Sequence, residues 1–430
     1  MKGNFQIIII VVFIIAAVFG VLVFSGTIKI GKDRTNLASG GAVVMWGTVK
    51  KELVSDMIEK FNETNSGFSV DYVQKQEDEF NDELLEALAT GTGPDIFILP
   101  NDLVYHYRNK VYGVPYDNLP ITAYKNNFAG AGDVFVNSKG IVALPLSIDP
   151  IVMYYNRSLL DSAGIIYPPK TWDEFRTMVP LLTKKDDNNK ISQSAVALGQ
   201  FTNITNAKDI IASMILQTGN TIVEEKEDGF VSTLEDPSKY SLENTLEFYT
   251  DFADPLNDLY SWNKSLSDSR DLFSGENLAF YFGYASELQY LINRNPNQNF
   301  LMAPIPQIKG SNTKATYAKV GGIAVSASTK DFQRSYTVAS MLAMGDFAKE
   351  YANALGLAPA RRDLLSAKSE DLFSPIVFSS ALFARSWLDP SPTDSYEIFR
   401  RMIENIISNS LTTSESITDA HGKMDLLLLQ

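Results

Sequence analysis

Two short polar segments follow apolar runs that have the length and composition of buried strands. Thr48 comes just after the run at residues 42–46, and Asn101 and Asp102 follow the run at residues 95–99. Helical patterns separate these strands, which predicts a largely parallel sheet, and small molecules bind such sheets beyond the carboxyl ends of the strands. The sequence therefore predicts that both polar segments border a ligand site.

The residue types available for reaction chemistry are few. The chain has no cysteine and only two histidines, His106 and His421. Disulfides, thiolate metal sites, thiol nucleophiles and lipid attachment through cysteine are therefore excluded. The G-x-S-x-G, H-E-x-x-H, Walker A and G-x-G-x-x-G patterns are absent as well. Paired carboxylates of a glycoside hydrolase stay open, with Asp102 or Asp149 as candidates, because their pairing is spatial.

Composition limits the architecture and the partners. A length of 430 residues exceeds one ordinary domain and predicts two lobes, and 45% apolar residues suffice for packed cores. The 37 basic and 51 acidic residues give a formal net charge of −14. Because nucleic-acid backbones attract clustered Lys and Arg, this charge argues against DNA or RNA as a partner.

The elements that would position the polar segments follow from local patterns. Strand and helix patterns alternate up to residue 99, and Gly91 marks a helix end. Thr171 and Glu174 form a capping box at the start of a later helix. Two proline-bounded extended segments, residues 140–156 and 300–306, predict crossings between the lobes, with prolines interrupting the first strand.

The N-terminus predicts a membrane segment. Lys2 precedes an unbroken apolar stretch at residues 7–24, whose 18 residues would span about 27 Å as a helix. We interpret residues 1–26 as an uncleaved signal anchor and transmembrane helix, with residues 27–41 as a flexible tether. A cleaved signal peptide is the alternative, although the segment lacks a convincing cleavage site.

Several motifs in a fixed order resemble the extracellular solute-binding proteins of ABC importers, in the class that includes maltose- and oligosaccharide-binding proteins. The resemblance covers most of residues 42–430, and the motifs that carry it are ATGTGPDI at 89–96, LPLS at 144–147 running to YNR at 155–157, PPKTWDEF at 168–175, FSGE at 273–276, PIPQ at 304–307 and GG at 321–322. It implies a periplasmic-binding-protein-like α/β fold of two lobes with hinge crossings. One lobe would hold residues 42–147 plus 307–365, and the other 148–306 plus 366–430.

The resemblance also implies which residues contact the ligand. The implied set is Trp46, Thr48, Asn101, Asp102, Asp149, Asn203, Gly283, Tyr284, Gly321, Gly322 and Tyr396. Trp387 and Trp262 are further candidates for stacking on a sugar ring. Carboxylates and amides bind sugar hydroxyls, and aromatic faces cover the apolar side of a pyranose.

These implications predict a receptor, not an enzyme, that binds a carbohydrate between its lobes and delivers it to the permease subunits of an ABC importer. We expect a monomer without cofactor or metal, held at the cell membrane by its N-terminal helix with the bulk outside. The alternatives are the same fold with a polyamine, peptide or phosphorylated sugar, an anchored glycan hydrolase, and a sensor subunit. Anionic solutes are disfavoured because the implied contacts contain no Lys or Arg.

Overall fold

The computed structural model describes residues 41–236, 240–366 and 371–429. The predicted transmembrane helix, and the predicted tether except Gly41, lie outside the described residues. Within the described ranges, no helix is both long enough and apolar enough to cross a membrane.

The described residues form fifteen strands, most of them in one mixed sheet. The strands are β1 (Val43–Gly47), β2 (Val70–Gln74), β3 (Ile96–Pro100), β4 (Val136–Asn137), β5 (Gly140–Ile141), β6 (Leu144–Asn156), β7 (Lys184–Lys185), β8 (Ile191–Val196), β9 (Val223–Lys226), β10 (Gly229–Ser232), β11 (Leu278–Tyr284), β12 (Phe300–Pro304), β13 (Thr316–Val325), β14 (Ala358–Pro359) and β15 (Ala384–Arg385). The main sheet has the order β2-β1-β3-β13-β6-β11-β8-β7, with β12 and β14 also paired to β6 and β15 paired to β13.

The prediction of a largely parallel sheet is correct only for part of the sheet. β2, β1 and β3 are parallel, as are β11 and β8. In the centre, β13 runs antiparallel to both β3 and β6, and β6 runs antiparallel to β11 and β12. The sheet is therefore mixed, because the chain returns through β13 from a distant part of the sequence to pair beside β3.

The prediction that prolines interrupt the first crossing is wrong. β6 is a continuous strand whose thirteen residues are all buried, although it contains Pro145 and Pro150. Pro145 lies at a register irregularity in the pairing with β13, and Pro150 is the last residue of β6 paired to β13 before the pairing with β11 begins at Ile151. A proline is tolerated in a strand where ladder hydrogen bonds are already irregular or change partner.

Sixteen α-helices, with four 3₁₀ turns, complete the described part of the chain. The helices are α1 (Lys51–Thr64), α2 (Phe80–Thr90), α3 (Val104–Tyr107), α4 (Ile121–Asn127), α5 (Arg157–Ser162), α6 (Trp172–Leu182), α7 (Ala207–Gln217), α8 (Glu243–Thr250), α9 (Ser269–Ser274), α10 (Leu288–Arg294), α11 (Phe332–Met344), α12 (Asp346–Ala354), α13 (Arg362–Leu365), α14 (Ser374–Leu382), α15 (Pro392–Ile407) and α16 (Thr413–Leu428). The 3₁₀ turns are Asn101–Leu103, Gly130–Phe135, Asp251–Ala253 and Ala285–Glu287.

Local sequence signals explain how these helices begin and end. α1 buries Val54, Ile58 and Phe61, which share one face of a helix. α2 ends at Gly91, whose φ of 69° is the left-handed conformation that glycine adopts without a Cβ penalty. At the start of α6, Thr171 Oγ1 accepts a hydrogen bond from the Glu174 amide at 3.3 Å, which confirms the N-cap half of the predicted capping box. Glu174 Oε2 instead accepts from the Lys170 amide at 2.8 Å, so the other half of the box is not formed as predicted.

Aromatic side chains fill the core between α6 and β11. The ring of Phe175 lies 5.1 Å from that of Phe280 and 5.4 Å from that of Trp172. Trp262 is fully buried as well. β6 pairs with β13 over its first half and with β11 and β12 over its second half. Its sheet neighbours therefore change where the first crossing is expected. The exact lobe boundaries stay a prediction.

Candidate functional site

A cleft of about 390 Å³ opens at the carboxyl ends of β1 and β3. Its lining residues are Thr48, Glu77, Phe80, Asn81, Ile98, Pro100, Asn101, Asp102, Leu103, Ser147, Asp149, Lys319, Val320, Gly321 and Leu357. Five of the predicted contact residues are therefore in the lining: Thr48, Asn101, Asp102, Asp149 and Gly321.

Three parallel strands deliver polar side chains to this cleft. Thr48 follows β1, Glu77 follows β2, and Asn101 follows β3. Because the three strands are parallel neighbours, their carboxyl ends lie on one edge of the sheet and the loops beyond them converge. This geometry explains why residues so far apart in sequence share one cavity.

Asn101 holds the β3 loop in position. Its side chain is buried, with Nδ2 donating to the Tyr317 hydroxyl at 3.0 Å and Oδ1 accepting from the Val320 amide at 2.9 Å. Both of these contacts lie on β13. The amide thus ties the end of β3 to the neighbouring strand and fixes the backbone from which Asp102 projects.

Asp102 is the lining carboxylate with the most unusual surroundings. Its Oδ1 is buried and has no hydrogen-bond partner within the described part of the chain. Burial raises the pKa of the Asp102 carboxyl, while the charge of Lys319 opposes that rise. A buried carboxylate oxygen without a partner favours binding a hydroxyl or another donor of a ligand.

Asp149 lies on β6, two strands away from β3, and also lines the cleft. It is 8% exposed, and its Oδ1 accepts a hydrogen bond from the Ser286 amide at 3.0 Å. Burial raises the pKa of Asp149 to about 6. The hydrogen bonds from Ser286 and the charge of Lys319 lower this pKa, but their effect is smaller than that of burial. The carboxyl can therefore change its charge near neutral pH.

Lys319 lines the cleft, although it is not among the contact residues predicted from the sequence. It lies on β13 directly opposite Asp149 on β6, so both side chains point to the same face of the sheet. Its Nζ is 4.3 Å from the ring centroid of Tyr284. The predicted contacts contain no Lys or Arg, whereas the lining of this cleft includes Lys319.

The three predicted glycine contacts differ in their surroundings. At Gly321, which lines the cleft, an added Cβ would be 3.4 Å from Ser147 Oγ, an ordinary contact. At Gly322 the Cβ would be 2.9 Å from the Phe135 ring, and at Gly283 it would be 2.5 Å from Tyr281. Gly322 and Gly283 are outside the cleft lining, and each is adjacent to a packed aromatic ring.

Four predicted aromatic contacts lie outside the cleft lining. Tyr284 is buried, and its hydroxyl donates to Asp209 Oδ2 at 2.7 Å. Trp46 is half-buried and has the Lys75 ammonium 3.8 Å from its ring centroid. Tyr396 is 40% exposed with its ring against Phe201, and Trp387 lines a second cavity.

Asn203 is also absent from the lining, and its side chain is engaged within the protein. Nδ2 donates to the carbonyl oxygens of Asn263 and Leu266, both at 3.0 Å, and Oδ1 accepts from Trp262 Nε1 at 3.1 Å. These bonds use the main hydrogen-bonding capacity of the amide. The stacking candidate Trp262 is fully buried, so its ring is packed in the core and not available to a solute.

Sequence reasoning also missed Glu77, Asn81 and Ser147. The position of Glu77 after β2 was a usable signal, since the same rule selected Thr48 after β1. Asn81 and Ser147 sit inside a helix and a strand, where polar residues are common and give no such signal. Among the described residues, no group of three or more His, Asp or Glu side chains is placed to hold a metal ion.

A family comparison decides what kind of protein has this cleft. The sequence model of the bacterial extracellular solute-binding protein family matches residues 56–372, which is most of the chain. The chain belongs to this family. The matched range includes the whole cleft lining except Thr48.

One curated relative of this solute-binding protein is similar over a limited segment. It is the maltotriose-binding protein of Pyrococcus abyssi, 27% identical over 111 residues. The match spans 26% of this chain and 23% of the length of that relative.

Solved structures share the fold of this solute-binding protein over nearly its whole length. The sugar-binding protein MalE of Xanthomonas citri superimposes with a TM-score of 0.72 at 17% identity, covering 90% of this chain and 98% of that one. A cyclo/maltodextrin-binding protein complexed with maltotetraose gives 0.70 at 16% identity, with 90% and 97% covered. The GacH receptor of Streptomyces glaucescens, solved unliganded and with acarbose, gives 0.65 at 18% identity, with 91% and 99% covered. The periplasmic-binding-protein-like α/β fold is thereby confirmed.

Proposed function

We propose that this extracellular solute-binding protein is the receptor of an ABC importer and binds an oligosaccharide in the cleft between β3 and β6. The observation that carries the proposal is the cleft itself, where Asp102 has a buried oxygen without a hydrogen-bond partner among the described residues and Asp149 is paired with Lys319 on the neighbouring strand. The relatives whose names specify maltotriose, maltodextrin and maltotetraose support a sugar as the solute.

The cleft chemistry supports a ligand with many hydroxyl groups. The lining carboxylates can accept hydrogen bonds from sugar hydroxyls, and the Lys319 ammonium and the Thr48 hydroxyl can donate hydrogen bonds to sugar oxygens. The cleft therefore offers both donors and acceptors. Phe80, Ile98 and Leu357 add apolar surface that suits the C–H face of a sugar ring. This mixture suits a neutral oligosaccharide better than a purely apolar solute.

The finer parts of the proposal concern the membrane and the partner. Residues 1–26 would anchor the receptor as a single-pass helix, residues 27–41 would give it reach, and permease subunits would receive the solute. The lobes 42–147 plus 307–365 and 148–306 plus 366–430 would close on the solute as two bodies. The family supports an extracytoplasmic location.

Calorimetric titration of the purified full chain with maltotriose, maltotetraose and mannobiose tests the sugar assignment. We expect one saturable site, and Asp102→Asn weakens it on the order of tenfold or more because the charge-assisted hydrogen bond is lost. Asp187→Asn is the matched control, since Asp187 is exposed in a distant turn. Binding that is equal in the Asp102→Asn and Asp187→Asn variants would contradict the cleft as the site.

Chromatography of each sugar after overnight incubation separates a receptor from a hydrolase. A receptor returns the sugar intact, whereas an enzyme acting through Asp102 or Asp149 would release shorter products. If products form and Asp149→Asn abolishes their formation, the receptor proposal is wrong.

One observation favours a second candidate solute, a polyamine. Three carboxylates, from Glu77, Asp102 and Asp149, line the cleft against the single cation Lys319. Spermidine in the same titration is therefore the direct competitor. If spermidine binds and the sugars do not, the cleft holds a cationic solute.

A further inference from the structure

A second cavity, of about 350 Å³, lies apart from the cleft lining. Its apolar wall includes Leu216 and Phe230. Its polar wall includes three consecutive residues, Arg385, Ser386 and Trp387. Arg385 is the last residue of β15, and the other two follow that strand. No residue of this cavity also lines the first cleft.

The three polar residues are hydrogen-bond donors whose capacity is largely unused. Trp387 is only 4% exposed, and its Nε1 has no hydrogen-bond partner among the residues that the structure describes. The buried Ser386 Oγ is in the same situation within those ranges. An indole N–H can only donate, so Trp387 requires an acceptor from a bound molecule or from water.

Arg385 adds a positive charge to these donors. Its Nη1 donates to the carbonyl oxygen of the adjacent Ala384 at 2.9 Å, which leaves the outer N–H groups for other acceptors. A Cβ at Gly130 would lie 2.5 Å from Nη1, so the glycine makes room for the guanidinium at the cavity wall.

Two carboxylates also line the cavity, but each has partners of its own. Glu225 accepts from the Ser138 amide at 2.8 Å and from the Ser138 hydroxyl at 2.7 Å. Asp133 Oδ2 lies 4.0 Å from Lys125 Nζ. Glu225 therefore has hydrogen bonds of its own, and the charges of Lys125 and Arg385 act on the Asp133 carboxyl. Among the described residues, the buried polar atoms of this cavity without a partner are those of Ser386 and Trp387.

We propose that this cavity is a second binding site, for a small molecule that carries a carboxylate on an apolar body. The carboxylate accepts from Arg385, Ser386 and Trp387, and the apolar body lies against Leu216 and Phe230. Charge-assisted hydrogen bonds to a guanidinium are strong enough to select a carboxylate over a neutral amide of the same shape.

Benzoate and benzamide are a matched pair of probes for this site. The chain has four tryptophans, so an NMR spectrum of the indole N–H groups of the full chain has four signals, and the one that Trp387→Phe removes is that of Trp387. We expect benzoate to shift the Trp387 signal saturably, and benzamide to bind at least tenfold more weakly. If neither probe shifts the signal, water alone occupies the cavity and the proposal is overturned, and equal binding of both probes overturns the carboxylate assignment.

The Arg385→Gln variant tests whether the guanidinium binds the carboxylate. Arg385 is exposed, so we expect the variant to fold, and it weakens benzoate binding at least tenfold. Arg294→Gln is the control, because the Arg294 side chain is also exposed and lies outside this cavity. Unchanged benzoate affinity in Arg385→Gln would contradict the proposal. The sugar titration of the unmodified chain tests the proposed function, and the benzoate titration tests the second cavity. Either proposal can therefore fail without affecting the other.

Discussion

Burial raises the pKa of two carboxyls that line the cleft. Asp102 and Asp149 both have a raised pKa with burial as the first cause, and in both Lys319 acts in the opposite direction. A receptor that binds hydroxyl groups needs acceptors that stay desolvated and oriented before the ligand arrives. The contacts of Asn101 with β13 and of Asp149 with the Ser286 amide supply that orientation.

The pKa of Asp149 predicts how stability depends on pH. Because the pKa rises from 3.8 to about 6 on folding, the folded chain holds this proton more tightly than the unfolded chain. The contribution to the free energy of unfolding is therefore most favourable below about pH 4 and falls by about 3 kcal/mol as pH rises through 6. Urea unfolding at pH 4, 5, 6 and 7 measures this dependence, and Asp149→Asn is expected to lack it.

Burial also raises the pKa of Asp102 and Asp209, so the comparison with a control decides the assignment. Asp187→Asn, in an exposed turn, should keep the dependence of the unmodified chain. If Asp149→Asn shows the same fall in unfolding free energy between pH 4 and 7 as Asp187→Asn, Asp149 does not titrate as proposed.

The Tyr284 hydroxyl is predicted to stabilise the fold whether or not it contacts a solute. It donates to Asp209 Oδ2 at 2.7 Å and is buried, so Tyr284→Phe leaves a desolvated carboxylate with one donor fewer. We expect a loss of about 1–3 kcal/mol in unfolding free energy. Tyr167→Phe, at a residue that is 75% exposed, should change little. A loss of similar size in both variants would show that the buried hydrogen bond is not the cause.

At the scale of elements, β11 depends on a glycine for close packing. A Cβ at Gly283 would lie 2.5 Å from Tyr281 Cε1, and that ring is buried and stacked on Phe273 at 5.6 Å. Gly283→Ala is expected to lower the free energy of unfolding by about 1–3 kcal/mol through overpacking, measured by urea unfolding. Gly113→Ala is the matched control, because nothing lies within 4 Å of its added Cβ. Equal stability of the two variants would contradict the packing argument.

Elements with strong local signals could be predicted from the sequence. Gly91 ends α2 in the left-handed conformation, and Thr171 caps the first turn of α6, as the local patterns predict. The continuity of β6 could not be predicted, since Pro145 and Pro150 are tolerated only because of their distant pairing partners.

Some residues of the candidate site could likewise be predicted from local patterns, and others could not. Thr48, Asn101 and Asp102 could be placed from local patterns because they directly follow parallel strands. Lys319 could not, since its position opposite Asp149 depends on the register of two strands about 170 residues apart in sequence. Whether Tyr284 or Trp387 faces solvent is likewise set by packing, which local patterns do not contain.

At the scale of the whole molecule, closure on a solute would move the two predicted lobes relative to each other. The solute shifts the equilibrium toward a closed state only as far as it binds that state more tightly. The absence of cysteine makes this measurable, because two introduced cysteines are the only sites for spin labels. Glu86 and Ser267 are exposed and lie in the two different predicted lobes.

We expect the distance distribution between spin labels at Glu86→Cys and Ser267→Cys to shift when the chain is saturated with the sugar that binds it, measured by double electron–electron resonance. Glu86→Cys with Lys349→Cys is the matched pair within one predicted lobe, since Lys349 is also exposed, and its distances should stay unchanged. A shift within that pair would show that the lobe boundaries are wrong. Unchanged distances in both pairs, with calorimetry proving that the sugar is bound, would show that the solute is held without closure, because rigid lobes around a preformed cleft need no hinge.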